Sequence, residues 1–181
     1  LLVAFPTGDW NAKNVAKYQP AAFAAMEGIF ETEEAGAEIV LIGQPNMVEK
    51  KLDNKIAVPN ILSFLTHQDW NKQIPGMDQF KEEELPDNIP ALYYSYHIMV
   101  GLGTIFIGVM ALALFFLWRR KLYTFKPLLW FIMILVPFPY IANITGWYTA
   151  ELGRQPYLVY GLLKTSDGVS PTVSSGNTLF T

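Results

Sequence analysis

A chain of 181 residues, 51% hydrophobic and only 16% charged, is long enough for one domain but poorer in charge than ordinary soluble domains, which carry about 25%. The charge is also divided: residues 1–90 carry 14 acidic and 7 basic side chains, residues 91–181 carry 2 and 6, which implies two environments and leaves no basic stripe for nucleic acid. With no cysteine there is no disulfide, thiolate zinc site or cysteine nucleophile, and the two histidines, His67 and His97, stand too far apart for a short paired-ligand motif.

The first residues, Leu1 to Phe5, lack the charged start of a signal peptide, and the last five residues end as an apolar stretch begins. Both ends look cut, so the chain is expected to be an internal portion of a larger protein or one product of a split gene. Residues 6–90 are too polar to span a membrane. A short helix is expected from Pro20 to Phe30, with turns at Gly43-Gln44-Pro45, Pro59-Asn60 and Pro75-Gly76. Lys81-Glu82-Glu83-Glu84 reads as a solvated charge run.

Residues 98–118 form an uncharged run of 21 residues, about 31 Å as a helix, which matches the hydrocarbon core of a bilayer. Pro90 suits a helix start, and Tyr93, Tyr94 and Tyr96 suit an interfacial aromatic belt. Gly101, Thr104 and Gly108 fall near one face, where small residues admit a neighbouring helix or a flat cofactor. Residues 127–150 are a second uncharged run, in which Pro137 and Pro139 predict a kink. Between the runs, residues 119–126 hold Arg119, Arg120, Lys121 and Lys126 and no acid, so this loop is expected on the cytoplasmic side. Residues 1–90 and 151–181 then lie outside, with 91–118 and 127–150 as the spans. After Glu151 the Gly153-Arg154-Gln155-Pro156 run breaks the helix, and Gly168 to Gly176 reads as an outer loop.

This orientation puts Met99, at the outer start of the first span, and Glu151, at the outer end of the second, at one depth. Taken singly, a membrane-helix methionine is packing material, whereas a carboxylate at a span's edge is costly enough to be kept for a purpose. Arg154 follows Glu151 by three residues, so the two could form an interfacial salt bridge, or Glu151 could bind a buried cation while Arg154 holds an anion. Trp147, one turn before Glu151, is a belt residue or the lining of a cofactor pocket.

The segment Gly146-Trp147-Tyr148-Thr149-Ala150-Glu151-Leu152-Gly153-Arg154-Gln155-Pro156, continuing through Thr165-Ser166-Asp167, resembles the GWxxxExGRQPW…TxDxVSP signature of subunit I of cytochrome bd quinol oxidases. Ile98-Met99-Val100-Gly101 resembles that family's helix with a methionine haem ligand. Pro6-Thr7-Gly8-Asp9, Gln19-Pro20 and Ala24-Ala25-Met26-Glu27-Gly28 resemble the start of its outward quinol loop. The motifs stand in family order along nearly the whole chain.

The resemblance implies the C-terminal portion of such a subunit: an all-α integral membrane protein, part of a multi-helix haem-binding bundle with a long extracytoplasmic loop. It implies oxidation of quinol and reduction of dioxygen to water, contributing to the proton gradient. The cofactors would be a low-spin haem b, a high-spin haem b, and a haem d or third haem b. Met99 corresponds to an axial ligand of the low-spin haem iron and Glu151 to the carboxylate at the high-spin haem iron. Trp147 and Arg154 match pocket positions, and Glu27 matches an acidic residue of the quinol loop.

The implied partners are the rest of subunit I with its histidine ligands, a subunit II-like membrane protein, small single-helix subunits, membrane quinol and dioxygen. The setting is a bacterial or archaeal-type cell membrane. Three positions depart from the family pattern: His97 stands where an arginine that helps hold a haem propionate is common, Ala22 where a lysine is frequent, and Tyr157 where tryptophan is usual. The competing reading is a non-catalytic structural or assembly paralogue in a respiratory membrane complex.

Overall fold

A computed structural model describes residues 4–33 and 36–168. Most of the described chain is helical: α1 (Ala4–Tyr18), α2 (Pro20–Glu27), α3 (Ile61–His67), α4 (Ile89–Trp118), α5 (Lys126–Ile134) and α6 (Phe138–Arg154). Two antiparallel hairpins interrupt it, β1 (Ile39–Asn46) with β2 (Lys51–Val58), and the short β3 (Tyr157–Val159) with β4 (Leu163–Lys164).

α4 begins at a capped end: Asn88 Oδ1 accepts the Ala91 N–H at 3.1 Å, and Pro90 occupies a first-turn position where no N–H is needed. At 30 residues it is longer than the 21-residue uncharged run and apolar enough to cross a membrane. The second run is broken as expected. α5 and α6 are separated at 135–137, where Pro137 and Pro139 cannot sustain the helical ladder, and meet at 42°. Helix α5 starts at Lys126, and α6 continues past Ala150 to Arg154. No atom lies within 4 Å of a Cβ built at Gly101 or Gly108, so the small-residue face of α4 meets no described part of this chain.

The described residues 4–33 and 36–90 build a cap around α2. Pro20 starts this helix and Gly28, at φ 72°, ends it in the left-handed conformation that glycine adopts without strain. Every residue from Ala21 to Glu27 is buried. Four alanines leave no bulk between α2 and its neighbours, and Phe23 and Met26 pack with Ile29, Leu62, Ile74, Met77, Ile89 and Leu92 into the core.

The expectation of an all-α chain is corrected by the hairpins. Gly43-Gln44-Pro45, expected to be a turn, lies within β1. The real turn follows it, where Asn46 Oδ1 accepts the Val48 and Glu49 N–H groups at 3.1 Å each. Gly43 marks a register irregularity that brings the backbone against Tyr93, whose Oη lies 2.8 Å from where a Cβ would stand. Pro59-Asn60 forms a turn as expected, and Glu82–Glu84 is an exposed 3-10 turn. Of the expected outer loop at 168–176, only Gly168 is among the described residues.

Ser63 locks the cap. Its buried Oγ accepts the Ala37 N–H at 2.7 Å and donates to Lys72 O at 2.7 Å. Ser63→Ala leaves both backbone groups without their partner, at a cost of about 1–3 kcal/mol for each one that stays dry. Hydrogen exchange at the Ala37 amide should accelerate by one to two orders of magnitude, about what that cost implies, while α4 amides keep their protection. Unchanged protection at Ala37 would show that the cap does not depend on this serine.

Candidate functional site

Two glycines set how closely the membrane helices and the cap approach. A Cβ on Gly146 of α6 would lie 2.9 Å from Met99 Sδ of α4. On Gly153 it would lie 2.5 Å from Met26 Cε and 3.6 Å from Leu92 Cδ1. Beside this seam opens a cavity of about 660 Å³ between α1, α2, α4 and α6. Tyr96, Met99 and Val100 line it from α4, and Thr149, Glu151 and Arg154 from α6. Phe23 and Met26 supply the α2 side, while Asn11 and Val15 come from α1.

The fold therefore brings Met99, Glu151 and Arg154 into one space, a thioether, a carboxylate and a guanidinium on an otherwise mainly apolar wall. Arg154 Nη2 donates to Glu151 Oε2 across one turn, and both side chains stay partly exposed. Such a pair in water contributes about 0.3–0.5 kcal/mol, too little to account for two charged groups at the end of an apolar helix. Among the described residues no three His, Cys, Asp or Glu side chains converge as a metal site, so each candidate iron ligand stands singly.

Two of the expected site residues lie elsewhere. Trp147 is 61% exposed and outside the cavity wall. The ring nitrogens of His97 lie 2.9 Å from Tyr93 O and 3.1 Å from Val40 O, so His97 is turned toward β1 and away from Met99. Its ring stacks on Tyr93 with centroids 4.0 Å apart.

Glu27 faces a separate cavity of about 460 Å³ beneath the first hairpin, whose wall includes Glu31, Glu33, Glu38, Lys51 and Lys55. The Glu27 side chain accepts a hydrogen bond from Tyr96 Oη at 2.5 Å, and the residue is only 3% exposed. Burial pushes its carboxyl up to about 7, and the Tyr96 hydrogen bond opposes that rise. Burial also raises Glu33, whose carboxylate accepts the Glu38 N–H at 2.9 Å. Lys55 pairs with Glu38 across the rim. The sequence reading assigned Tyr96 only to an aromatic belt and gave α1 no part in the site. Tyr96 and Glu27 are 69 residues apart, and no local pattern joins them.

The model of the family described as cytochrome bd terminal oxidase subunit I matches residues 1–181. The chain is similar to the cytochrome bd ubiquinol oxidase subunit 1 of Bacillus subtilis, 34% identical over 96% of this chain and 39% of that protein. It is also similar to a putative cytochrome bd menaquinol oxidase subunit I of the same organism, 33% identical over 93% of this chain and 38% of the relative. Among solved structures, the bd oxidase of Geobacillus thermodenitrificans superposes with a TM-score of 0.78 at 29% identity, covering 99% of this chain and 40% of that one. The chain thus spans about two fifths of the length of these relatives.

Glu27 makes stability depend on pH in a definite direction. Its folded value, about 7, lies above the 4.5 of a free carboxyl, so the fold prefers the protonated form. The associated stability is complete below 4.5 and is lost as pH rises to about 7, amounting to about 3 kcal/mol. Glu27→Gln, which stays neutral, should flatten the fall in unfolding temperature over that window. An equally steep fall in the variant would assign the pH dependence to another group.

Proposed function

Because the chain belongs to the cytochrome bd terminal oxidase subunit I family, a membrane-bound family, we propose that it forms part of a quinol oxidase that passes electrons from quinol to dioxygen and contributes to the proton gradient. The observation that carries this reading is the convergence of Met99, Glu151 and Arg154 on one cavity. The donor set fits haem: a soft thioether, a hard carboxylate and a cationic fork suit iron, ferric charge and a propionate respectively. Haem, when bound, supplies the iron that accepts and relays electrons and at which dioxygen is reduced to water.

In this proposal Met99 would hold the iron of the low-spin haem b through its sulfur, and Glu151 would hold the high-spin haem b through its carboxylate. Arg154 holds a propionate. Trp147, exposed one turn before Glu151, lies outside this wall and would meet the cofactor only in the complete subunit. Either a haem d or a third haem b completes the set. His67 lies on α3 and His97 is engaged with β1, so a histidine that shares a haem with Met99 would come from the remaining part of subunit I. A subunit II-like protein, small single-helix subunits, quinol and dioxygen complete the assembly. Quinol oxidation releases two electrons and two protons. Glu27, a carboxylate poised near 7 at the edge of the outer cavity, accepts one of those protons and returns it to outer water.

The helices then cross a bacterial or archaeal-type cell membrane with the loop at 119–125 and Lys126 in the cytoplasm and the cap outside. Protease added to intact cells should cut the cap and spare Arg119 to Lys126. The reverse pattern would invert the topology.

Met99→Leu keeps the apolar volume and removes the sulfur, so the low-spin haem b signal should become high-spin or vanish. Glu151→Ala should deplete high-spin haem b and oxygen reduction while leaving the low-spin signal, and Arg154→Lys should weaken haem retention less. A full haem complement in Glu151→Ala would reduce the Glu151–Arg154 pair to a surface salt bridge and favour the structural paralogue.

A further inference from the structure

Adjacent residues of α2 serve different spaces. Met26 lines the cavity that holds Met99 and Glu151, whereas Glu27 lines the outer one beneath the hairpin. Tyr96 lines the first cavity and donates its hydroxyl to Glu27 across the boundary. The Tyr96–Glu27 hydrogen bond is therefore a bridge in the wall between them. Both partners sit among buried neighbours: Ala25 and Leu92 are fully buried and Tyr93 is 1% exposed.

We propose that Tyr96 is a positioning residue for Glu27: its hydroxyl holds the carboxylate in the wall, favours its ionised form, and so directs proton release into the outer cavity. This deepens, and rests on, the reading of Glu27 as the quinol proton acceptor. The balance is simple. Quinol loses two electrons, which bound haem would accept, and both O–H bonds break: one proton joins the Glu27 carboxylate and then leaves to outer water, and the other passes directly to water. Tyr96 keeps its own proton throughout.

The surroundings single out Tyr96. Tyr93, the other α4 hydroxyl near Glu27, is buried and makes no hydrogen bond among the described residues. On α6, Glu151 and Arg154 are engaged with each other in the first cavity. In the 3-10 turn packed on α2, Asp78 accepts from Thr32. Around the outer cavity stand Glu31 and Glu33 after α2 and, from the hairpin and its approach, Glu38 and Glu49 opposite Lys50, Lys51 and Lys55. Glu38 and Glu49 pair with Lys55 and Lys51. The Tyr96 hydroxyl is thus the donor aimed at the carboxylate itself, and a hydrogen bond to a charged form favours that form.

The test is made on the assembled oxidase. Infrared difference spectroscopy reads the carboxylic C=O stretch of Glu27, assigned by its loss in Glu27→Gln. Its midpoint should lie near pH 7 in the native complex. Tyr96→Phe removes one oxygen, and the midpoint should rise by about one pH unit. The acidic limb of the quinol oxidation rate should move up with it, because the base form then appears only at higher pH. Haem spectra should not change. Fluorotyrosine at position 96 keeps the volume and strengthens the donor, so it should move the midpoint down and decides the matter if Tyr96→Phe does not assemble. A midpoint unmoved by either change overturns the role of Tyr96. Quinol oxidation at the native rate in Glu27→Gln overturns instead the reading of Glu27 on which the role rests.

Discussion

The outer half of this chain depends on the burial of α2, an eight-residue helix too short to be stable by itself. Packing must hold it, and its composition allows that: alanines at four positions bring neighbouring backbones close, while Phe23 and Met26 supply the apolar area. Because Glu27 is the last residue of the same helix, the force that buries Phe23 and Met26 also carries a carboxylate out of water. An ionised carboxylate left alone there would cost several kcal/mol. The Tyr96 hydrogen bond offsets part of that cost, and a raised proton affinity offsets more. Gly28 is needed at the helix end because Tyr93 fills the space a side chain would require.

What could be read from the sequence follows the range of the forces involved. The α4 span, the break at Pro137 and Pro139, the start of α2 at Pro20 and the end of α6 near Arg154 obey local rules of hydropathy and proline geometry, and the structure has each of them. The pairing of Glu151 with Arg154 was legible because three residues make one helical turn. The first hairpin was not, since Gly43-Gln44-Pro45 has turn composition and only contact with Tyr93 explains a glycine inside a strand. His97, two positions before Met99, was assigned to the cofactor pocket by the family resemblance, where an arginine is common. Along a helix two residues differ by about 200° in direction, and His97 accordingly meets β1. The Tyr96–Glu27 contact and the share of α1 in the cavity are tertiary facts without a local signature.

The same geometry leaves a broad apolar surface uncovered within this chain. Much of α4, α5 and α6 presents Ile105, Leu112, Leu114, Trp130 and Ile141 to its surroundings, a surface suited to lipid or to further helices. Gly101 and Gly108 meet nothing in the described chain, and both histidines are held in the outer cap or against it. The relatives are about two and a half times as long as this chain, and in the proposed reading the histidine that shares a haem with Met99 would lie in that additional length.

The proposed separation of electrons from protons rests on α2 facing two cavities with consecutive residues. On the Met26 side the groups are a thioether, aromatic and aliphatic walls, and one charged pair, a surface suited to a large apolar cofactor. On the Glu27 side five acids and three lysines line the wall, a surface more polar than the Met26 side. In the proposed role a proton on Glu27 faces the acids and lysines of the outer cavity, while Glu151 and Arg154, paired with each other, stand beyond the Tyr96 hydroxyl in the other one. The direction of proton release then follows from which wall is polar, without any moving part. It would be lost if the outer cavity were lined with leucine, even with every haem ligand intact.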